Sequence, residues 1–202
     1  MSLRLLLVIL LPALLLPVLL GAAPSSDRRL TPLVELGVLQ EELEARGEWL
    51  LKAEVVARRA DDCTVLDHEW FGQLAMGYPP DKLERKAKGA LTCWKRLGKK
   101  ASGSAYNDEF VDGRLFWTST QLEGLRSLRA LLAGDTPKRC VALEVGGVQA
   151  EQGVAAFDAL LDKTQVASMR DYLQAHRDEI ERLGKGFATQ RASSCTPPSD
   201  GK

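Results

Sequence analysis

The densest cluster of groups able to do chemistry is Asp61-Asp62-Cys63 followed by Asp67-His68-Glu69. Carboxylates and an imidazole are the groups that bind metals or move protons. His68-Glu69-Trp70-Phe71-Gly72 lacks the second histidine of a zinc-binding H-E-x-x-H helix. His68 and His176 are the only histidines, and nothing in sequence brings them together. The cluster therefore reads as a solvated helix end carrying a surface histidine. His176 falls on an apolar stripe, so its ring is expected to face other helices as a hydrogen-bonded boundary group.

Other signals for catalysis are absent or incomplete. Gly146-Gly147 through Gly153 resembles a glycine-rich anion loop, but no Lys-Ser/Thr pattern follows a strand, so it reads as a flexible linker. No serine sits in a G-x-S-x-G elbow. Thr118-Ser119-Thr120 beside Trp117 suits packing on a helix face. No catalytic residue, cofactor-binding residue or metal ligand is assigned, and no cofactor is expected.

Cys63, Cys93, Cys140 and Cys195 form an even set in which the nearest two are 30 positions apart. That spacing lacks the close C-x-x-C pairs of zinc or redox sites and points to disulfides. Four cysteines allow three pairings, and the sequence does not select among them. Nearest-neighbour pairing, Cys63 with Cys93 and Cys140 with Cys195, is the expectation because each bridge ties a helix end to the next element.

Charge supplies the strongest binding signal. Over 81–100 the bases Lys82, Arg85, Lys86, Lys88, Lys95, Arg96, Lys99 and Lys100 face only Asp81 and Glu84. They form a possible anion-binding face. The segment before them is acidic: Glu35, Glu41, Glu42, Glu44, Glu48, Glu54, Asp61 and Asp62. The plainer alternative is that the two helices shade each other with weak surface pairs.

Amphipathic helices are expected to position these groups. Leu36, Leu39, Leu43, Leu50, Ala53, Ala57 and Ala60 mark a first helix over about 32–62, opened by Thr31-Pro32 and weakened by Gly47. Residues 63–76 allow a short helix, stopped by Gly77-Tyr78-Pro79-Pro80. A second main helix starts at Asp81 with Leu83, Ala87, Ala90, Trp94 and Leu97 inward. A third covers about 108–133. Val141–Val145 reads as an extended loop, and a fourth helix covers about 152–188. Trp94 belongs to the core; Trp49 lies off the first stripe and would mark a contact patch if exposed.

Met1–Ser26 carries one charge, Arg4, then an apolar run from Leu5 to Leu20, then small residues. This is the layout of an export signal, with cleavage after Ser25 or a retained anchor as alternatives. The remainder suits one domain over 27–192 with a tail over 193–202. Acids and bases balance at 27 each, unlike the basic surplus of a dedicated nucleic-acid binder.

The expected protein is all-α, a bundle-like domain of about four main helices stapled by one or two disulfides. It is expected to be exported, periplasmic or secreted, and membrane-anchored only if the first segment is retained. The favoured function is a non-catalytic binding or adaptor protein of the cell envelope, whose partner is another envelope or secreted protein. The alternatives are an exported enzyme with a charged pocket for a small acidic metabolite, and a binder of anionic polymer or lipid through the basic helix.

Overall fold

The computed structural model describes residues 32–195, and the expected export signal over Met1–Ser26 lies outside them. Six helices occupy this span: α1 (Pro32–Ala45), α2 (Leu51–Ala75), α3 (Pro80–Leu97), α4 (Ala105–Leu132), α5 (Thr136–Lys163) and α6 (Ala167–Ser194). The all-α expectation holds, with six helices among the described residues rather than four. Chain-adjacent helices pack against each other from α1 to α6, and α1 also touches α6. Buried residues occur around most of α4, which lies between the α2–α3 pair and the α5–α6 pair.

Each difference from the expected helix pattern has a local cause. The expected 32–62 helix is two helices because Gly47 adopts φ +68°, a left-handed conformation that glycine enters without a Cβ clash. The Glu48 amide donates to the Leu43 carbonyl at 2.8 Å and the Gly47 amide to Glu44 at 3.0 Å, which closes a Schellman cap. Gly77 and Gly134 end α2 and α4 with the same bond pattern. Trp49, set in the break, is half-buried against the core, so it is no exposed contact patch.

The expected 152–188 helix is also divided. The buried Glu42 carboxylate of α1 accepts the Gln165 and Val166 amides, the latter at 2.7 Å. Amides that would have continued α5 are thereby bonded to a side chain instead. The Thr164 hydroxyl donates to Leu160 O at 2.7 Å and shares a 2.6 Å bond with the Tyr106 hydroxyl, fixing the turn.

Val141–Val145 is helical, and the Gly146–Gly153 stretch is helix interior rather than linker. Its glycines serve close packing. A Cβ at Gly146 would lie 2.8 Å from the Phe187 ring of α6, and one at Gly153 would lie 2.1 Å from Ile180 Cδ1. Gly147, one residue on from Gly146, meets nothing within 4 Å. Gly146→Val is therefore expected to lower stability by about 1–3 kcal/mol through overpacking. Gly147→Ala should raise it by about 0.5–1 kcal/mol through reduced chain entropy. Urea unfolding checks both signs; a stabilised Gly146→Val would contradict the packing.

Both expected disulfides are present, Cys63–Cys93 joining α2 to α3 and Cys140–Cys195 joining α5 to the end of α6. Two structural disulfides fit an oxidising, extracellular-type compartment. The final helix reaches Ser194, so the expected 193–202 tail begins as helix. Among the described residues no helix is long and apolar enough to cross a membrane.

Candidate binding cleft between α2 and α3

α3 separates its residue types cleanly. Leu83, Ala87, Ala90, Trp94 and Leu97 recur at helical spacing and are all buried. The opposite surface carries Lys82, Arg85, Lys86, Lys88, Lys95 and Arg96, and the turn after the helix carries Lys99 and Lys100, so all eight predicted bases are exposed. Pro80 at the helix start fits a position whose amide needs no partner.

Beside this surface an open cleft of about 970 Å³ runs between the two helices. Arg59, Asp62 and Leu66 line it from α2, while Lys88, Gly89, Thr92, Cys93 and Arg96 line it from α3. Leu97, Lys99 and Lys100 close one end. Four of the eight predicted bases thus meet in the cleft, joined by Arg59, which sequence reasoning did not single out. Lys82, Arg85, Lys86 and Lys95 lie elsewhere on the exposed surface.

The pairing of these charges is uneven. Lys86 reaches Glu69 at 2.5 Å and Lys88 reaches Glu84 at 2.7 Å. Arg126 and Arg129 of α4 also bind Glu84. Burial alone would raise the Glu84 carboxyl, but hydrogen bonds from Lys88, Arg129 and Arg126 outweigh it and hold the group below its ordinary value. Among the described residues Arg59, Arg96, Lys99 and Lys100 have no carboxylate in ion-pair contact. Asp62 is the single acid in the cleft lining.

A buried polar knot sets the cleft walls. Asp67, next to Leu66, is fully buried and accepts hydrogen bonds from Trp94 Nε1 of α3 and Thr118 Oγ1 of α4, each at 2.8 Å. The buried Arg114 guanidinium lies 3.6 Å from the same carboxylate and stacks 4.4 Å from the centre of the Trp117 ring. Burial pushes the Asp67 carboxyl up, while Arg114, Trp94, Thr118 and Trp70 pull it back. The expectation of a solvated Asp61–Glu69 cluster is therefore corrected at Asp67, whereas His68 is exposed as expected. Because Asp67 binds groups on both neighbouring helices, α2, α3 and α4 are held in one register.

A second part-buried carboxylate is Glu179 of α6. It accepts from Trp117 Nε1 at 3.2 Å, and burial pushes its carboxyl up. The His176 ring lies among Tyr172, Phe157 and Trp117 and contacts Tyr172 O at 2.9 Å, so it faces the bundle as expected. Among the described residues no group of three or more His, Cys, Asp or Glu side chains is placed to hold a metal. Cys93, at the cleft wall, is bonded to Cys63 and is no free nucleophile. The cleft thus brings exposed cations to the edges of a partly apolar floor.

No model of a known protein family matches this chain, and no curated protein or solved structure matches it.

Proposed function

We propose that this is an exported, non-catalytic helical binding protein whose recognition surface is the α2–α3 cleft and whose partner is anionic. One observation carries the reading: Arg59, Arg96, Lys99 and Lys100 converge on the cleft with no carboxylate among the described residues paired to them. Unpaired like charges repel one another, and an anionic partner relieves that repulsion. The single carboxylate, Asp62, leaves the cleft without the paired acid and base of a hydrolytic site, which favours binding over catalysis. The export half of the proposal is supported by the Met1–Ser26 pattern together with two disulfides.

The test is a pull-down from intact envelope with the tagged mature protein at low and high salt, run beside Arg96→Glu/Lys99→Glu/Lys100→Glu. A partner held by the native protein at low salt should be lost at high salt and bound at least about tenfold more weakly by the triple variant. Equal capture by the variant would remove the cleft from the function.

A further inference from the structure

We infer that the α2–α3 cleft seats an acidic amphipathic α-helix of a partner protein. This rests on the reading of the cleft as an anion-recognition surface and adds the shape and polarity of the occupant. The cleft lies between two helices joined by a short turn and bridged by Cys63–Cys93, so each wall is a ridge of helix side chains. Gly89 contributes no side chain, and a Cβ there would meet nothing within 4 Å, which leaves one wall hollow. A third helix fits such a furrow by packing its side chains between the ridges. The cleft holds about 970 Å³, and its α2 wall from Arg59 to Leu66 runs for about two helical turns.

Exposed apolar residues carry the α2 wall past the cleft lining, in which only Leu66 of them takes part. Leu51, Val55, Arg59, Asp62 and Leu66 fall at i, i+4, i+8, i+11 and i+15, a single line along α2. That line is about 22 Å long, or four turns. Leu51 is 79% exposed, and Val55 and Leu66 are exposed as well. An apolar stripe on the partner would cover them.

This combination separates three anionic partners. A sugar-acid or phosphate polymer would neutralise the cations but leave Leu66 in the cleft, and Leu51 and Val55 beyond it, in water. A flat bilayer would meet the rims and leave the hollow at Gly89 unfilled. A helix with an apolar stripe flanked by Glu or Asp satisfies charge and floor together, with its acids meeting Arg59 on one wall and Arg96 on the other. Charge complementarity therefore selects an acidic helix, and the exposed leucine and valine line selects an amphipathic one.

The probe is a fluorescent synthetic helix of about 16 residues, with leucines along one face and glutamates on both flanks. Its control has the same residues in scrambled order, with one leucine replaced by a central proline that prevents helix formation. Heparin and phosphatidylglycerol vesicles serve as the polymer and membrane probes. Anisotropy titration of the mature protein should show the helix binding at least about tenfold more tightly than the control, with affinity falling as salt rises. Arg59→Glu/Arg96→Glu and Leu66→Ser should each weaken the helix, and circular dichroism confirms that the variants are folded. Equal binding of the scrambled peptide, or tighter binding of heparin or vesicles, overturns the helical occupant while the anionic reading stands. No binding of any of the four probes overturns both.

Discussion

Asp67→Asn is expected to destabilise the protein by about 3–5 kcal/mol, the range found when one partner of a buried ion pair is removed. Asn keeps the shape and still accepts from Trp94 and Thr118, so the loss isolates the charge facing Arg114. A guanidinium cannot shed its proton in a protein, so the variant cannot relieve this cost by titrating Arg114. Arg114→Met makes the opposite experiment. It leaves the Asp67 carboxyl buried, already pushed above its ordinary value by burial and now without the Arg114 charge that pulled it down. That carboxyl can neutralise by taking a proton. A group whose folded-state pKa is raised contributes most below its unfolded pKa of about 3.9 and loses that contribution as pH rises through the folded value. The deficit of Arg114→Met should therefore shrink on acidification while that of Asp67→Asn persists. Urea unfolding of both variants at neutral and mildly acidic pH measures the difference. Parallel pH curves would show that the pair is not what makes the knot sensitive to charge.

The knot was also the least legible feature of the sequence. Asp67 sits among Asp61, Asp62, His68 and Glu69, and its helix phase alone makes it one more polar residue. Its hydrogen-bonding partners lie 27 residues away at Trp94 and 51 away at Thr118. Only the packing of α2 against both α3 and α4 brings them together. The α3 stripe, by contrast, was legible in full, because five apolar residues at helical spacing are a local signal, although the helix starts at Pro80, which read as a stop, rather than at Asp81. Four of the cleft's bases were readable for the same reason. Arg59 was not, because its contribution depends on which side of α2 borders α3.

Glycine carried two meanings that one dimension does not distinguish. At Gly47, Gly77 and Gly134 it permits a left-handed cap, and at Gly146 and Gly153 it makes room for Phe187 and Ile180. Gly146-Gly147 looks like a linker unless the facing helix is known. Val141–Val145 followed from the same misreading, since a helix was not expected to pass through the glycines beside it. The break at Thr164–Val166 was hidden for a different reason: the carboxylate that takes its amides belongs to Glu42, more than 120 residues earlier.

Removing the disulfides is expected to have the largest total effect on stability. Cys63–Cys93 closes 30 residues and Cys140–Cys195 closes 55. The chain-entropy estimate gives about 4 kcal/mol for each. Together they approach the whole stability of a typical domain, about 5–15 kcal/mol. For a chain of this size each bridge should be worth on the order of 10 °C in Tm. The two bridges should separate in function. Cys93 lines the cleft and Cys63 is buried beneath it, so Cys63→Ala/Cys93→Ala should lower both Tm and affinity for the acidic helix. Cys140→Ala/Cys195→Ala acts where α5 and α6 meet around Leu143, Leu183 and Phe187, with no residue in the cleft. It should lower Tm and leave affinity unchanged. Thermal melts of both variants, with the oxidised and reduced native protein, give the stability terms, and anisotropy gives the binding term. A reduced protein melting within about 2 °C of the oxidised form would mean that helix packing alone holds the fold, at odds with the chain-entropy account. Equal loss of affinity in both variants would mean that the cleft depends on the whole bundle rather than on the α2–α3 bridge.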